Sequence, residues 1–260
     1  MEKDLKNKIV VVTGASRGIG LSIVEAFLLE QVKKAIILDI NSDAGINTTK
    51  QLNSKFGEGK VDFFQCDISV DVDTVFDKIV QKYKTIDILV NNAGTVNENS
   101  IRQTMNVNVV GTVDLTMKFW NYARKDKGGS GGTVINIASV SGFRVDPFSP
   151  FYKASKYAVI GFTRTIGHTV NYQQTAVRVI GICPGYTKTN MGNNISLHES
   201  RIFHAPILEK FKKKAIWQEV DAVSKAAVEI FKKADSGTMW LIEGGVLNEL
   251  LVPSEWISEV

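Results

Sequence analysis

Tyr152 and Lys156 stand four residues apart at the end of SVSGFRVDPFSPFYKASK (139–156), which runs into a helix-period series, Ala158, Val159, Phe162 and Ile166. Pro150 suits the first turn of such a helix. A spacing of four puts phenol and ammonium on one face, one turn apart, and the chemistry this allows is proton transfer. A free tyrosine, with a pKa of about 10, is a poor base at neutral pH, and a fixed cation beside it favours the phenolate. Bringing it to 7 takes roughly three units, about 4 kcal/mol, which calls for Lys156 and a second positive charge together. Ser139 ends the apolar run 133–138, which reads as a buried strand, so its hydroxyl can point across a crevice at the helix carrying Tyr152. Taken alone, Tyr-x-x-x-Lys also describes a solvated surface pair. Its meaning depends on the elements that position it.

Those elements alternate from Lys8 onward. Short apolar runs at 9–12, 35–38, 61–65, 86–90, 133–138, 176–182 and 238–242 read as strands. Amphipathic stretches at 18–30, 43–56, 71–83, about 101–124, from Pro150 on, and near 220–232 read as helices. Apolar strands without a polar face imply a parallel sheet covered on both sides. There is no linker and no break in composition; KGGSGG (127–132) is only long enough for a turn. The reading is therefore an α/β fold with one domain over 1–260.

Composition narrows the function classes. The 260 residues are 44% hydrophobic, enough for a large core, and 31 basic against 27 acidic side chains give a net charge of +4. That balance argues against a nucleic-acid partner, and Lys212 to Lys214 reads as a solvated helix face. No apolar run approaches the ~18 residues of a membrane span, and the N-terminus has no apolar signal core. Cys66 and Cys183 read as small buried side chains. There is no CxxC pair, and His168, His198 and His204 are scattered, so no metal is expected. The expected location is cytoplasmic.

The first strand runs into TGASRGIG (13–20), with glycines at 14, 18 and 20. The spacing differs from GxGxxG, but glycines between a strand and a helix N-terminus let backbone amides approach a pyrophosphate, which the helix dipole favours. A tight turn with packing glycines is the alternative. Asp39, ending the second strand 19 residues beyond Gly20, shifts the balance, because an acid there can take the ribose hydroxyls of a dinucleotide. Asp67 is open between an adenine contact and a helix cap. NNAG (91–94) offers close backbone approach, and Asn108 lies inside a predicted helix, where asparagine is a mediocre former.

Together, Thr13-Gly14-x-x-x-Gly18-x-Gly20, Asp67, Asn91 to Gly94, Asn108, Ser139 thirteen positions before Tyr152, Tyr152-x-x-x-Lys156 and Pro184-Gly185 resemble the short-chain dehydrogenase/reductase family over nearly the full length. Within it the chain is similar to the insect alcohol dehydrogenase and 15-hydroxyprostaglandin dehydrogenase branch. SVSGF (139–143) and the ending GTMWLI…SEW (237–256) look like the insect enzymes; YKASK with VIGFTR (159–164) looks like the prostaglandin enzymes. Where the prostaglandin subgroup carries a glutamine three residues before the tyrosine, Ser149 stands here. The resemblance implies a Rossmann-type doubly wound sheet of seven mostly parallel strands in order 3-2-1-4-5-6-7, helices on both faces. That order sets Cys66 and Cys183 roughly 24 Å apart, which excludes a disulfide between them.

The resemblance also implies roles. Tyr152 is the general acid/base, Lys156 lowers its pKa and binds the nicotinamide ribose, Ser139 holds the reacting oxygen, and Asn108 holds a water linking Lys156 to solvent. NAD is expected against Gly14, Arg17, Gly18, Ile19 and Gly20 of the turn, Asp39 with Ile40, and Asp67 with Ile68. Further along, Asn92, Ala93 and Gly94, then Pro184, Gly185 and Thr187, complete that wall beside Tyr152 and Lys156. Arg17 is seen in some NADP users of the family, but Asp39 decides for NAD. The segment 186–218 is expected to be a substrate loop, with Phe143, Phe148, Tyr186, Met191 and Phe203 touching substrate and Val145 and Phe151 nearby. Arg144 is a lone cation for an anionic group. An apolar secondary alcohol or its ketone fits best, with a bulky lipid (steroid, terpenoid or prostaglandin) as the alternative. A non-catalytic dinucleotide- or lipid-binding relative is disfavoured by the intact Asn108, Ser139, Tyr152 and Lys156. A homodimer or homotetramer is expected through helices 101–124 and 150–170.

Overall fold

The computed structural model describes residues 3–193 and 204–251. Most of its strands form where β-branched and other apolar residues predominate: β1 (Ile9–Thr13), β2 (Lys34–Asp39), β3 (Val61–Gln65), β4 (Ile88–Asn91), β5 (Gly132–Ile137), β6 (Val177–Pro184) and β7 (Met239–Glu243), followed by the more polar β8 (Val246–Glu249). The order is β3-β2-β1-β4-β5-β6-β7-β8, with every pair parallel except β7 and β8. The crossovers put α1 (Gly18–Leu29), α2 (Ser42–Phe56) and α10 (Val220–Lys233) among the helices of the sheet, with α3 (Val72–Tyr83), α4 (Ile101–Met105), α5 (Thr112–Ala123), α6 (Pro150–Ile166), α7 (Thr169–Thr175), α8 (Asn190–Asn193) and α9 (Ala205–Lys214). One core joins Val10, Val12 and Ile37 to Phe27 of α1 and Ile230 of α10; the other joins Val11, Ile36 and Leu89 to Ile79 of α3 and Phe119 of α5. Alternate residues of β1 thus feed opposite layers, as a sheet covered on both faces requires.

The doubly wound order expected for seven strands holds, but the sheet has an eighth. Glu243 turns through Gly244 (φ 58°) and Gly245 (φ 80°) into β8. Two consecutive positive φ values make the tight hairpin loop that suits strand twist, and glycine takes them without strain. β8 is an edge strand and mostly exposed, so its sequence carries no inward apolar face to reveal it. The helix expected over 101–124 is also interrupted: residues Asn106–Gly111 form a π-helical stretch between α4 and α5. There the β3–α3 loop comes so close that a Cβ on Gly111 would lie 2.5 Å from the Ile68 carbonyl oxygen. The helix expected over 150–170 ends at Ile166 and restarts at Thr169. Among the described residues no helix is long and apolar enough to cross a membrane.

Candidate active site

The carboxyl ends of β1, β2, β4, β5 and β6 open into one cavity of about 1240 Å³. At one end lies the glycine turn. Gly14 has φ 61°, and a Cβ there would lie 2.8 Å from Ala93 Cα, so the turn after β1 and the loop after β4 pack backbone to backbone. Thr13 fastens them: its Oγ1 accepts from Asn92 N (3.0 Å) and Ala93 N (2.9 Å), while Asn92 Nδ2 donates to the carbonyls of Thr13 (2.9 Å) and Gly14 (3.0 Å). Gly18 and Ile19, in the first turn of α1, line the cavity with Arg17. That turn holds no acidic residue, and Arg17 at the N-cap makes no side-chain cap bond, which leaves the positive end of the helix for an anion. Gly20 does not line the cavity; it is a packing glycine, whose Cβ would lie 2.5 Å from the Gly14 carbonyl oxygen.

Asp39, Ile40, Asp67 and Ile68 continue the wall. Asp39 Oδ2 accepts from Ser16 N and Oδ1 from Asn41 N, both at 3.0 Å, so its carboxylate is fixed at the rim. The choice left open for Asp67 falls against the cap, because the N-cap of α3 is Asp71. Asp67 Oδ1 accepts from Ser69 N (2.9 Å) and Ser69 Oγ (2.6 Å). Strand-end glycines, an uncapped helix N-terminus and a fixed rim carboxylate form a cradle that fits a dinucleotide. Among the described residues no group of His, Cys, Asp and Glu could hold a metal ion.

Ser139, Tyr152 and Lys156 meet farther along the same cavity, with Ala93, Gly94, Pro184, Gly185 and Thr187 beside them. Lys156 is only 5% exposed. Its Nζ donates to Ile137 O at 2.8 Å and lies 5.5 Å from the centre of the Tyr152 ring. Burial pushes the ammonium down to about 8. Burial also pushes the Tyr152 phenol up, to about 12; the Ser139 hydroxyl works the other way, and Cys183 adds to the rise. Burial therefore works against the lowering expected from the sequence, which calls for a second positive charge beside Lys156. Desolvation outweighs the neighbouring cation, and both groups are biased toward their neutral forms. Asn108 lies behind this wall rather than on it. It clamps Thr95 by both backbone groups (Thr95 N to Oδ1 2.7 Å, Nδ2 to Thr95 O 2.9 Å) and donates to Ser155 Oγ (2.9 Å). A Cβ on Gly94 would lie 3.3 Å from Asn108 Oδ1 and 3.8 Å from Lys156 Nζ.

A family model described as short chain dehydrogenase matches residues 8–200, which include every one of these cavity-wall groups. The chain belongs to the short chain dehydrogenase family. It is 37% identical to 15-hydroxyprostaglandin dehydrogenase [NAD(+)] of Rattus norvegicus over 198 residues, 75% of this chain and 74% of that protein. It is 36% identical to the Homo sapiens protein of the same name, with the same coverage. It is 27% identical to alcohol dehydrogenase 1 of Ceratitis cosyra over 252 residues, 96% of each chain.

The far end of this family member's cavity is aromatic. Phe148, Tyr186 and Met191 line it as expected from the sequence, while Phe143, Val145 and Phe151 do not. Phe143 packs instead against the small core of Ala138, Val159, Ile160, Cys183 and Met239. Phe203, with Ile195 and Leu197, lies outside the described residues, as does the SEW of the insect-like ending. Phe148 stacks near Phe211 (5.6 Å between ring centres), Phe211 near Tyr186 (5.7 Å) and Tyr186 near Trp217 (5.5 Å). Arg144 is not a lone cation: it is bound by both oxygens of Glu243, at 2.6 and 2.9 Å. Lys153 and Lys188, which also line the cavity, are paired with Asp146 (2.8 Å) and Glu219 (2.5 Å). Reading the sequence missed Gln218, whose Nε2 donates to Thr187 Oγ1 (3.3 Å) and Ile242 O (3.0 Å). It missed as well the buried chain Thr116–Asn91–Asn136–Thr163, which ties α5 to α6 through β4 and β5. The asparagines inside apolar strands were the available signal, since a buried amide must find partners.

Proposed function

We propose that this oxidoreductase of the short chain dehydrogenase family is a single NAD-dependent domain that interconverts an apolar secondary alcohol and its ketone, with Tyr152 as general acid/base. The observation that carries the reading is the convergence of Ser139, Tyr152 and Lys156 on one cavity whose other end is the glycine turn and Asp39. NAD would lie against Gly14, Gly18, Asp39, Gly94 and Thr187, where its nicotinamide supplies a hydride acceptor and, when oxidised, a fixed positive charge. Tyr152 takes the proton of the substrate hydroxyl while the carbinol carbon gives up its hydrogen as hydride to that acceptor, and the oxygen remains as the carbonyl. Ser139 donates a hydrogen bond to the reacting oxygen, and that bond strengthens as charge develops there. Lys156, held by Ile137 O, fixes the ribose and biases Tyr152 toward ionisation once charge balance in the cavity changes. Asn108, through Thr95 and Ser155, holds the frame around that pair.

Asp39 supports NAD over NADP: a 2′-phosphate would face a carboxylate already fixed by Ser16 N and Asn41 N, and repulsion plus lost ribose hydrogen bonds amount to a few kcal/mol. The cations lining the substrate end are paired with Asp146 and Glu219, and that favours an uncharged substrate over a lipid carboxylate. Val110 of the π-helical stretch before α5, and Tyr157 and Gly161 of α6, are exposed, with open space over Gly161, which supports a homodimer or homotetramer across the 101–124 segment and α6. Two buried, unbridged thiols, Cys66 and Cys183, accord with a cytoplasmic, reducing location. The test is to screen straight-chain, cyclic and steroidal alcohols for NADH formation, with NADP in parallel. Turnover with apolar secondary alcohols and a kcat/KM at least about tenfold higher for NAD are expected, from the few kcal/mol at Asp39. Equal or better use of NADP would overturn the cofactor assignment.

A further inference from the structure

Helix α6, which carries Tyr152, begins without a local cap. Ser149 at its N-cap takes φ 47° and ψ 55° and makes no side-chain cap bond, and Pro150 in the first turn has no N–H. Lys153 N donates to Ser149 O at 2.9 Å, so the first-turn amides left without a helix partner are those of Phe151 and Tyr152. Both go to one carboxylate from the β4–α4 loop. Phe151 N donates to Glu98 Oε2 at 3.3 Å and Tyr152 N to Glu98 Oε1 at 3.0 Å, across 53 and 54 positions of sequence. Glu98 is only 1% exposed, and a carboxylate is favoured at the positive end of a helix.

The other side of the Tyr152 peptide is held too. Ser155 Oγ donates to Tyr152 O at 2.7 Å and receives Asn108 Nδ2 at 2.9 Å. Asn108 grips both backbone groups of Thr95, and Thr95 leads in three residues to Glu98. Thr104 Oγ1 donates to Asn97 O at 2.8 Å and stiffens that loop. The result is a closed ring of hydrogen bonds that passes through the backbone of Tyr152, entering at its N–H and leaving at its carbonyl.

We infer that Glu98 is a positioning residue for the proton-transfer step: it sets where the Tyr152 phenol stands relative to Ser139 by holding the Tyr152 amide. This inference rests on the reading that Tyr152 transfers the proton. A cap that served stability alone could be local, as a serine or aspartate at the N-cap usually is. Here the cap comes from the loop that also carries Thr95, so the reactive tyrosine is aligned to Asn108.

The experiment compares Glu98→Ala and Glu98→Gln with wild type and Tyr152→Phe. Hydrogen exchange of the peptide spanning Phe151 and Tyr152, NADH affinity by fluorescence, and kcat and KM for an alcohol are measured on each. In Glu98→Ala the exchange should quicken and kcat should fall by roughly 10- to 100-fold, the scale of a misplacement near 1 Å, while NADH affinity stays within about twofold of wild type. Glu98→Gln, which keeps one acceptor oxygen, should fall between the two. A lower melting temperature with kcat within twofold of wild type would reduce Glu98 to a stability cap and overturn the inference, as would equal losses of kcat and NADH affinity. If Glu98→Ala does not fold, Glu98→Gln decides by the same criteria. A Tyr152→Phe enzyme that still turns over would instead overturn the proton-transfer reading itself, independently of the Glu98 result.

Discussion

At the glycine-turn end of the cavity the wall is main chain, set by strand ends: Gly14 against Ala93, Thr13 fastened to the Asn92 and Ala93 amides, and Asp39 fixed by Ser16 N and Asn41 N. At the aromatic end it is side chain: Phe148 and Tyr186 line it, backed ring against ring by Phe211 and Trp217 on the segment between β6 and α10. The first arrangement has little freedom, because a Cβ or a shifted peptide collides with backbone that cannot yield. The second can be rebuilt from other apolar residues of similar volume. The first end is therefore suited to hold one constant group, and the second is suited to change between relatives of one fold.

That contrast can be broken at its rigid end first. Gly14→Ala needs a left-handed φ of 61° and places Cβ 2.8 Å from Ala93 Cα, a strain of about 1–2 kcal/mol before the clash is counted. NADH affinity should fall by about a hundredfold or more, since misplacement of this turn would remove the backbone amides proposed to meet the pyrophosphate. A fluorescence titration beside a thermal melt checks it; unchanged affinity would mean that the turn is not the binding element.

Between the two ends sits the buried pair, and its proton balance gives the next effect. Lys156 is held at about 8 against 10.5 for an ordinary lysine. Over that interval the unfolded chain binds a proton that the native one has released, so the stability of the cofactor-free protein should rise with pH from about 8. Tyr152, held at about 12 against 10.0, keeps a proton that the unfolded chain loses, so it opposes the rise above about 10. Two units set a ceiling of about 3 kcal/mol on the gain. The melting temperature of wild type should climb by a few degrees relative to Lys156→Met between pH ~8 and ~10. A flat difference between the two proteins would show that Lys156 is not desolvated in the native state.

The smallest effect belongs to the aromatic end. Phe148→Ala should leave NADH affinity within about twofold and shift kcat/KM among bulky apolar alcohols by about tenfold, the lower end of what one methylene is worth in an apolar pocket. Steady-state kinetics on a graded alcohol series reads it. A loss of NADH affinity like that of Gly14→Ala would erase the distinction between the two ends.

The same contrast explains what the sequence could tell. The glycine turn, Asp39, NNAG (91–94) and Tyr152-x-x-x-Lys156 were readable because each answers a backbone constraint with a particular residue type at a fixed spacing. The strand order followed from the resemblance those motifs carry. Phe143 and Phe148, five residues apart, could not be told apart: one faces the core and the other the cavity, and aromatic type says nothing of direction. β8 was invisible because an exposed edge strand need not alternate, and the π-helical stretch because its cause is the distant Ile68 carbonyl. Glu98 was missed for the same reason, since its partners lie 53 and 54 positions away. The direction of the Tyr152 shift depends on desolvation, which only the packed cavity supplies.

Whether Tyr152 carries the proton is tested most directly by Tyr152→Phe. The change removes one hydroxyl and little volume, so the fold and NADH affinity should survive. Turnover should fall by several orders of magnitude, beyond the roughly 10²–10⁴-fold contribution of a typical general base, because Tyr152 also orients the reacting oxygen. In wild type, alcohol oxidation should rise with pH through one ionisation between about 6 and 9, belonging to the coupled Tyr152–Lys156 pair. The measurement is the pH series of alcohol oxidation on wild type beside purified Tyr152→Phe, with NADH binding confirmed on both. A phenylalanine enzyme that keeps a tenth of the activity, or the same pH rise, would contradict the account.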